Sequence, residues 1–566
     1  MSCNINRVTG FGQSGLAGRG GSGYCALRRT RTIHRRTMPL YSPARATLCA
    51  ALLASRLPAQ AHEHAAAGPE KLGTVHFQTS CAPAVAVPFD HAVALLHSFE
   101  FGESIGAFSA VLASDSACAM ALWGLALCRW TNPMSSANRA PALLEQGREA
   151  ATAATRASAG ASARERAYIA AVNRLYADYE HTTQRSRQVG YEQAMADVAA
   201  ENPSDTEAQI FHAISLVATA LPGDKTYANQ LRAGAILEKL WAKQPDHPGL
   251  AHYIIHAYDV PALADHARIA AQRYSEIAPS AAHALHMPSH TFTRVGLWQA
   301  SVNTNRRSVQ AAMGESAIAE ALHASDYMEY AYLQMRQDSA AKSVVDGLPA
   351  IAAHLDASAI TGAASGTGGV FAIAAIPARY ALERRDWNAA AALPARATEV
   401  PYADALTWFA RALGSAHAGS RAGAQQAIDT LRVLQERLAA RGDVYWAEQV
   451  GIQLLEARAV LDYAEGRARE AWAEMAEAAT REDATEKASV TPGPLAPARE
   501  LLGDMLVDLG HPADALTEYR KALIKEPNRY RSLFGAMTAA AAAGDSHARA
   551  QYASQIAKLT GRKPAS

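Results

Sequence analysis

The amino-acid sequence predicts an all-α fold, built as a solenoid of helix–turn–helix repeats, from three observations. Hydrophobic residues recur at helical spacing along the chain, within alanine-rich stretches that favour helix. Alternating runs of β-branched residues, which would indicate strands, are scarce. The third observation is a repeat, because His252 and His256 recur 34 residues later as His286 and His290. A period of 34 residues is that of the tetratricopeptide (TPR) unit, a pair of helices that stacks into a right-handed superhelix.

The first 61 residues are predicted to lie ahead of the solenoid. Residues 1–37 are rich in Gly, Arg and Ser and are interpreted as a disordered upstream extension or as the result of a wrongly chosen start. Residues 38–61 are typical of a secretory signal peptide. Arg45 supplies positive charge, Ala46 to Ala54 form a short apolar stretch, and Ala59-Gln60-Ala61 fits an A-x-A cleavage site. A disordered N-terminal tail is the alternative. Export predicts a periplasmic or secreted protein.

Residues 62–85 form the segment before the first predicted helix. Cleavage after Ala61 would place His62-Glu63-His64 at the start of the chain. A free amine with histidine in third place binds Cu(II) or Ni(II) in a square plane. A sequence that arose by chance is the alternative, so this tripeptide is a separate and weaker metal hypothesis.

Cysteine usage is consistent with export. Cys81 lies before the first predicted helix and Cys118 at the start of the third, so a disulfide between them is plausible in an oxidising compartment. Three unpaired structural cysteines are the alternative. Cys128 lies on an apolar helix near Trp123 and Trp130 and is expected to be a buried, unreactive thiol.

The folded part of the chain is predicted to have two halves. Residues 86–355 form an N-terminal TPR half that carries the histidine pairs, and residues 371–566 form a C-terminal half of conventional repeats. The break between them is placed at residues 356–370, because Ser365-Gly366-Thr367-Gly368-Gly369 is typical of a loop. The C-terminal half has no comparable polar cluster, so contact with protein or peptide partners is its expected role.

One repeat in the C-terminal half shows the TPR pattern almost completely. Gly503 and Ala515 are small enough to let its two helices approach, Tyr519 fills the groove between them, and Pro527 ends the second helix. The residues at TPR offsets are Leu502, Gly503, Ala515, Tyr519, Ala522 and Pro527.

The histidines fall at equivalent positions of successive repeats. With Pro248 as the first residue of one helix and Ala282 of the next, each pair takes positions 5 and 9, on one helix face. A third helix is predicted to begin near Leu322, after a short insertion, if Arg336 aligns with the turn glycine Gly296. This alignment places one set of side chains towards a single concave groove: His252, His256, His283, His286, His290, His323, Asp259, Asp326, Tyr330 and Arg294.

Pro288 is unexpected in this region, because proline is disfavoured inside a helix. It lies inside the helix that carries His286 and His290, where it cannot donate to the carbonyl of Ala284. We expect a kink that preserves the repeat register. The alternative is a helix that starts at Met287, which would leave His286 in the preceding turn and separate the pair.

Six imidazoles at equivalent repeat positions favour one shared binding site over six unrelated packing positions. In unrelated positions, each buried imidazole would need its own hydrogen-bond partners. Imidazole with carboxylate suits zinc, copper, iron or nickel, and the spacing does not distinguish among them. Asp259 and Asp326 are expected to orient imidazoles through hydrogen bonds, and Arg294 and Tyr330 to contact a bound group. The predicted metal ligands are His252, His256, His286 and His290, followed by His283, His323 and Asp326.

Several stretches resemble a family of exported bacterial TPR-repeat proteins. They are FDHAVALLHSFEFGESIGAF, LAHYIIHAYDVPALA, HALHMPSHTFTRVGLW, LHASDYMEYAYLQ and PGPLAPARELLGDMLVDLGHPADAL. The resemblance extends from about Phe77 to the end of the chain, and it implies a TPR fold but no particular reaction. His97, in the first stretch, is expected near a concave position of an earlier repeat, as a further contact for the bound ligand.

Composition and motifs exclude several classes of function. A net charge of +1 without long blocks of like charge argues against nucleic acid as a partner. No apolar run approaches the ~18 residues needed to span a bilayer. The sequence also lacks the signatures of zinc proteases, phosphate-binding loops and serine hydrolases.

The leading interpretation is an exported TPR protein whose histidine groove binds a transition metal or a small or peptide ligand. A metal-dependent enzyme is the first alternative, with one coordination position open and Tyr330 or Arg294 stabilising the reacting group. An assembly scaffold without metal is the second.

Overall fold

The computed structural model describes residues 70–561, and every regular element within that range is a helix. The predicted extension, the predicted signal peptide and His62-Glu63-His64 lie outside the described residues. The α-helices are α1 Ala86–His97, α2 Phe101–Ser114, α3 Ala119–Trp130, α4 Pro141–Ala157, α5 Ala163–Arg174, α6 Gln184–Glu201, α7 Thr206–Ala218, α8 Ala228–Trp241, α9 Pro248–Ala257, α10 Arg268–Ile277, α11 Ala282–His286, α12 Pro288–Arg294, α13 Trp298–Gly314, α14 Ile318–Gln334, α15 Asp338–Ala352, α16 Gly366–Glu383, α17 Trp387–Ala391, α18 Pro401–His417, α19 Arg421–Ala440, α20 Val444–Ala464, α21 Ala468–Asp483, α22 Ala498–Asp508, α23 Pro512–Lys525, α24 Tyr530–Ala542 and α25 Ser546–Thr560. Three short 3-10 helices cover Pro83–Val85, Ser158–Gly160 and Ala264–Ala267. No helix in this range has the length and apolar character needed to cross a bilayer.

Consecutive α-helices pack against each other in pairs, from α1 with α2 to α24 with α25. In one pair the first helix is divided, so that α11 and α12 both pack against α13. Neighbouring pairs are in contact too, and their first helices touch, as α14 touches α16 and α18 touches α20. This arrangement confirms the predicted all-α, TPR-type fold of helix–turn–helix units.

The C-terminal repeat predicted from its residue pattern is formed by α22 and α23. The side chain of Tyr519 is 1% exposed and lies against two glycines. A Cβ at Gly503 would come within 2.8 Å of its ring, and a Cβ at Gly535 within 2.3 Å. The aromatic residue therefore fills a groove that only small residues can form, as predicted.

The predicted start of the third histidine helix is wrong. Helix α13 continues to Gly314 and α14 begins at Ile318, so there is a short turn where an insertion was expected before Leu322. The alignment of the two turns is nevertheless confirmed, because Gly296 and Arg336 both have positive φ, at +69° and +57°.

The predicted break between the halves is shorter than expected. A loop follows α15 and includes residues 356–365, but α16 already begins at Gly366. Ser365 is the N-cap, and its hydroxyl oxygen accepts a hydrogen bond from the backbone N–H of Gly368 at 3.2 Å. This cap allows a glycine-rich stretch to form the first turn of a helix.

The disulfide between Cys81 and Cys118 is present, which confirms the predicted pairing. It joins the segment before α1 to the residue that precedes α3. Cys128 is buried within α3 and unpaired, also as predicted.

Two large hydrophobic clusters stabilise the described chain. One is formed by residues between Leu72 and Met287 together with Ala363, and the other by residues between Phe371 and Ala548. The segment between α21 and α22, residues 484–497, folds back onto α14, and we call it the closing segment. The Tyr327 hydroxyl on α14 lies 2.9 Å from the carbonyl oxygen of Ser489 and 3.0 Å from that of Thr491. The C-terminal half therefore supplies part of the wall around the histidines.

Candidate metal centre

The six predicted histidines come together, but they do not line an open groove. Their exposed fractions range from 0% to 6%. The first triad is His252, His256 and His283, and the second triad is His286, His290 and His323. Within each triad, one nitrogen from each imidazole lies within 4.8 Å of the corresponding nitrogens of the other two. The predicted convergence is therefore observed, whereas the predicted concave exposure is wrong.

The first triad presents three imidazole nitrogens without partners. His252 Nδ1 donates to the carbonyl oxygen of His97 at 2.7 Å, and His283 Nδ1 donates to the Glu320 carboxylate at 2.9 Å. A neutral imidazole carries one proton, so Nε2 of each ring presents a lone pair. These two Nε2 atoms and that of His256 are buried and have no hydrogen-bond partner in residues 70–561.

The second triad brings two lone pairs face to face. His286 Nδ1 donates to Asn305 Oδ1 at 2.7 Å, and His290 Nδ1 donates to Asp259 Oδ2 at 2.9 Å. The amide of Asn305 is fixed in this orientation, because its nitrogen donates to the carbonyl oxygen of Ser301 at 2.8 Å. Both histidines therefore direct an unprotonated Nε2 at the other, and these atoms are 3.1 Å apart.

A cation shared by the two Nε2 atoms would relieve this contact between lone pairs. Tetrahedral zinc with Zn–N bonds of ~2.0–2.1 Å places its nitrogen ligands about 3.3 Å apart. The 3.1 Å between the two Nε2 atoms is close to that separation. His323 completes the triad: its ring centroid is 4.5 Å from that of His286, and its Nδ1 has no hydrogen-bond partner in the described chain.

Pro288 interrupts the helix without separating the pair. Helix α11 ends at His286 and α12 begins at Pro288, while Met287 between them keeps helical angles of φ −51° and ψ −36°. The chain thus continues in a helical path, with the hydrogen-bonding pattern interrupted where proline lacks its N–H. His286 and His290 stay on one face, and the alternative with a separated pair is wrong.

Helix α14 contributes His323, as predicted, together with Tyr327, which was not predicted. His323 and Tyr327 face the second triad, and the Tyr327 ring centroid is 4.9 Å from those of His286 and His290. Asp326 is one position earlier than Tyr327, about 100° around the helix. Its Oδ1 pairs with Arg379 Nε at 3.2 Å, so Asp326 is neither a metal ligand nor a partner of an imidazole.

Tyr330 is also outside the site. Its hydroxyl lies 3.1 Å from Arg529 Nη1 and 3.2 Å from Glu526 Oε2. The predicted role of Tyr330 in contacting a bound group is therefore wrong, and Tyr327 is the tyrosine that lies against the histidines.

Asp259 and Arg294 lie at the site, as predicted. Asp259 Oδ1 accepts from Arg294 Nε at 2.8 Å, and its other oxygen accepts from His290. Lys487 of the closing segment lies 3.6 Å from the same carboxylate. Burial alone would raise the pKa of Asp259, but Lys487 and Arg294, with the hydrogen bond from His290, lower this pKa well below its ordinary value. Asp259 is thus an anion that orients His290.

His97 does not reach the triads with its side chain, contrary to the prediction. Its Nε2 donates to Glu207 at 2.9 Å, and His247 donates to the other oxygen of the same carboxylate at 2.9 Å. His97 acts on the first triad through its backbone carbonyl, which holds His252.

Burial keeps five of the six imidazoles neutral. It lowers the pKa of His286 to about 3 and that of His290 to about 4, and it lowers the pKa values of His252, His256 and His323 well below the ordinary value. Neutral imidazole is the form that binds metal ions.

Sequence reasoning missed Tyr327, Glu320 and Asn305. Tyr327 carries a usable signal, because it follows His323 by four residues and shares its helix face. Glu320 and Asn305 carry no such signal in the sequence. The contact of Glu320 with His283 depends on how α14 packs against α11, and that of Asn305 with His286 on how α13 packs against α11.

A cavity of about 60 Å³ borders both triads. Four imidazoles line it, two from each triad: His256, His283, His290 and His323. A larger cavity, of about 640 Å³, reaches His256 and Asp259 from the side of α6 and the start of α20. His256 therefore lines both spaces.

No known protein family and no curated protein matches the sequence. Among solved structures, a human IFIT1 dimer with PPP-AAAA is 12% identical, with a TM-score of 0.36, and the match covers 85% of this chain and 95% of that one. Yeast Tom70 is 11% identical, with a TM-score of 0.32, and the match covers 84% of this chain and 98% of that one. Similarity at this level carries no conclusion about function, and the chemistry of the site must come from its own residues.

Proposed function

We propose that this protein is an exported TPR solenoid that binds a transition metal through its two histidine triads. The observation that carries the proposal is the 3.1 Å contact between the Nε2 atoms of His286 and His290. Acceptors behind both rings, Asn305 and Asp259, fix the protons on Nδ1. Two lone pairs held together in this way need a cation between them.

Burial cost favours metal binding over simple packing. Four imidazole nitrogens have no hydrogen-bond partner in the described range: Nε2 of His252, His256 and His283, and Nδ1 of His323. Each unsatisfied buried polar group costs about 1–3 kcal/mol. Coordination of a metal would satisfy these atoms together.

Export is supported by the disulfide between Cys81 and Cys118, since disulfides persist mainly in oxidising compartments. The test is fractionation of an expressing bacterial culture, followed by N-terminal sequencing of the mature chain. We expect periplasmic or secreted protein that begins at His62. Protein that stays in the cytoplasm with its N-terminus intact would contradict export, but not metal binding.

Metal binding is tested by elemental analysis of the full chain purified from an exporting host. We expect at least one zinc, copper, iron or nickel ion per chain, and a large loss in His286→Ala/His290→Ala. The matched control is His266→Ala/His354→Ala, which replaces two exposed histidines. If the alanine pair fails to fold, as judged by circular dichroism, the glutamine pair replaces it. Equal trace metal in wild type and variant would end the proposal and favour an assembly scaffold.

A metal-dependent enzyme is the second candidate. The observation that favours it is the cavity of about 60 Å³ beside four of the six imidazoles, because a site that only holds an ion has no need of adjacent space. The test is turnover of small-molecule substrates by the metal-loaded protein. Metal without turnover across a broad panel supports binding or storage.

A further inference from the structure

We propose that the two triads hold a pair of copper ions that bind one molecule of dioxygen between them. This inference rests on the proposed metal-binding function. It adds the number of ions, their identity and the class of ligand.

The triads are close enough for their ions to act together. His283 of the first triad and His286 of the second have ring centroids 5.8 Å apart. His256 and His290, which also belong to different triads, are 6.1 Å apart. The triads therefore adjoin along two pairs of imidazoles, and ions bound to them would be neighbours.

The set of ligands favours copper in its reduced state. All six ligands are imidazoles, because the carboxylates of Asp259 and Glu320 are engaged with Nδ1 atoms behind the rings and do not point at the ion sites. Hard ions such as magnesium and calcium prefer oxygen ligands, whereas imidazole suits copper and zinc. Three neutral nitrogen ligands match the low coordination number of Cu(I).

Charge also favours monovalent ions. Asp259 and Glu320 contribute two negative charges, and Arg294 and Lys487, which both contact Asp259, contribute two positive charges. These four charges cancel, and Glu486, whose Oε2 lies 4.0 Å from Arg294 Nη1, adds one negative charge. Two Cu(I) ions would then add a net charge of +2 to a buried region, whereas two divalent ions would add +4, and uncompensated buried charge is costly.

The cavity that borders both triads fits a molecule of a few atoms. Its volume is about 60 Å³, and two imidazoles of each triad line it. A cavity needs about 10–15 Å³ of such space to hold one water molecule, so there is room here for a diatomic ligand. A diatomic ligand in this space would be within reach of both ions, and it could enter past His256, which also lines the larger cavity.

Dioxygen satisfies the balance of electrons and charge. Each Cu(I) gives one electron, and dioxygen takes both to become a peroxide dianion that bridges two Cu(II) ions. No proton and no outside reductant is needed. The charge on the ions rises by two, the bridging ligand brings two negative charges, and the total charge of the buried centre stays the same.

The experiment uses the full chain loaded with Cu(I) under nitrogen, with copper per chain measured before air is admitted. We expect two copper ions per chain. In air, a new near-ultraviolet absorption band should develop, with almost no electron paramagnetic resonance signal, because two bridged Cu(II) ions couple their spins. His323→Gln should leave one copper in the first triad. In air this Cu(I) gives its one electron to dioxygen, which leaves as superoxide, and the remaining Cu(II) should give a signal of about one spin per chain. His354→Gln, at an exposed histidine, should behave as wild type.

The outcomes separate the two proposals. No bound metal of any kind would overturn both. Zinc bound without copper, one copper per chain, two independent Cu(II) signals, or Cu(I) that does not react with air would each overturn the copper pair and leave metal binding intact. If His323→Gln unfolds, His256→Gln, which removes a ligand of the first triad, provides the same one-copper test.

Discussion

Asn305 provides the most direct check on the arrangement of the second triad. Its Oδ1 accepts from His286 Nδ1 at 2.7 Å. Asn305→Ala removes this acceptor, so the proton of His286 can move to Nε2 and be donated to His290 Nε2, 3.1 Å away. A metal ion that binds this pair would then have to displace that proton.

We expect Asn305→Ala to weaken metal binding by about 10- to 100-fold, the usual range for loss of a group that orients a ligating histidine. That factor corresponds to about 1.4–2.8 kcal/mol at 25 °C. The stability of the metal-free protein should change less than its affinity for metal. The lost hydrogen bond contributes about 1 kcal/mol, and a new one between the two imidazoles replaces it. Asn305→Asp keeps the acceptor and should keep most of the affinity.

The assay is competition for the metal against a chromophoric chelator at pH 7, combined with thermal melts with and without metal. The matched control is Asn303→Ala, on the same helix, since Asn303 is exposed and accepts only from Gln299 in the described structure. Equal affinity of Asn305→Ala and wild type would refute the assignment of the His286 proton to Nδ1. An equal loss in Asn303→Ala would show general damage to α13.

Three further predictions concern other parts of the fold. Burial raises the pKa of the Glu456 carboxyl well above its ordinary value, so from about pH 4.5 upward the folded state holds a proton that the unfolded state loses. The free energy of unfolding therefore falls as pH rises, by up to about 1.4 kcal/mol for each unit of the pKa shift of Glu456. Glu456→Gln should therefore raise the Tm at pH 8 but not at pH 4, and equal effects at both would contradict the argument. Burial also raises the pKa of the Cys128 thiol to about 12, so iodoacetamide at pH 8 should alkylate it only after unfolding, and labelling of the native chain would show the thiol to be accessible. Gly535→Ala should destabilise the protein by about 1–3 kcal/mol in urea titrations, because the new Cβ would lie 2.3 Å from the Tyr519 ring. Gly347→Ala on α15, where a Cβ meets nothing within 4 Å, should stabilise it by about 0.5–1 kcal/mol, and equal effects of both would contradict the packing.

The sequence was sufficient where the determining interactions are local. The pairs His252/His256 and His286/His290 share helix faces because four residues make about one turn. Pro288 interrupts its helix for a reason confined to its own backbone. The 34-residue offset then placed both pairs on neighbouring repeats, which the packing of α9 and α12 bears out.

The sequence was insufficient where the outcome depends on the register between helices. Asp326 and Tyr327 differ by one position on α14, and the packing of that helix decided which of them faces the histidines. Asn305 and Glu320 are ordinary polar residues whose roles depend on the rings opposite them. Lys487 is more than two hundred residues from Asp259 along the chain, and no local pattern connects them.

The closing segment has a consequence for how the protein matures. Its contacts join residues far apart along the chain, such as Tyr327 and Ser489, 162 positions away, and contacts of such separation are slow to form. A chain that folds from its N-terminus has all six imidazoles in place before this cover arrives, so an ion can be captured early and sealed in afterwards. A sealed ion would leave at the rate of local opening, and its retention would depend on kinetics as well as on affinity.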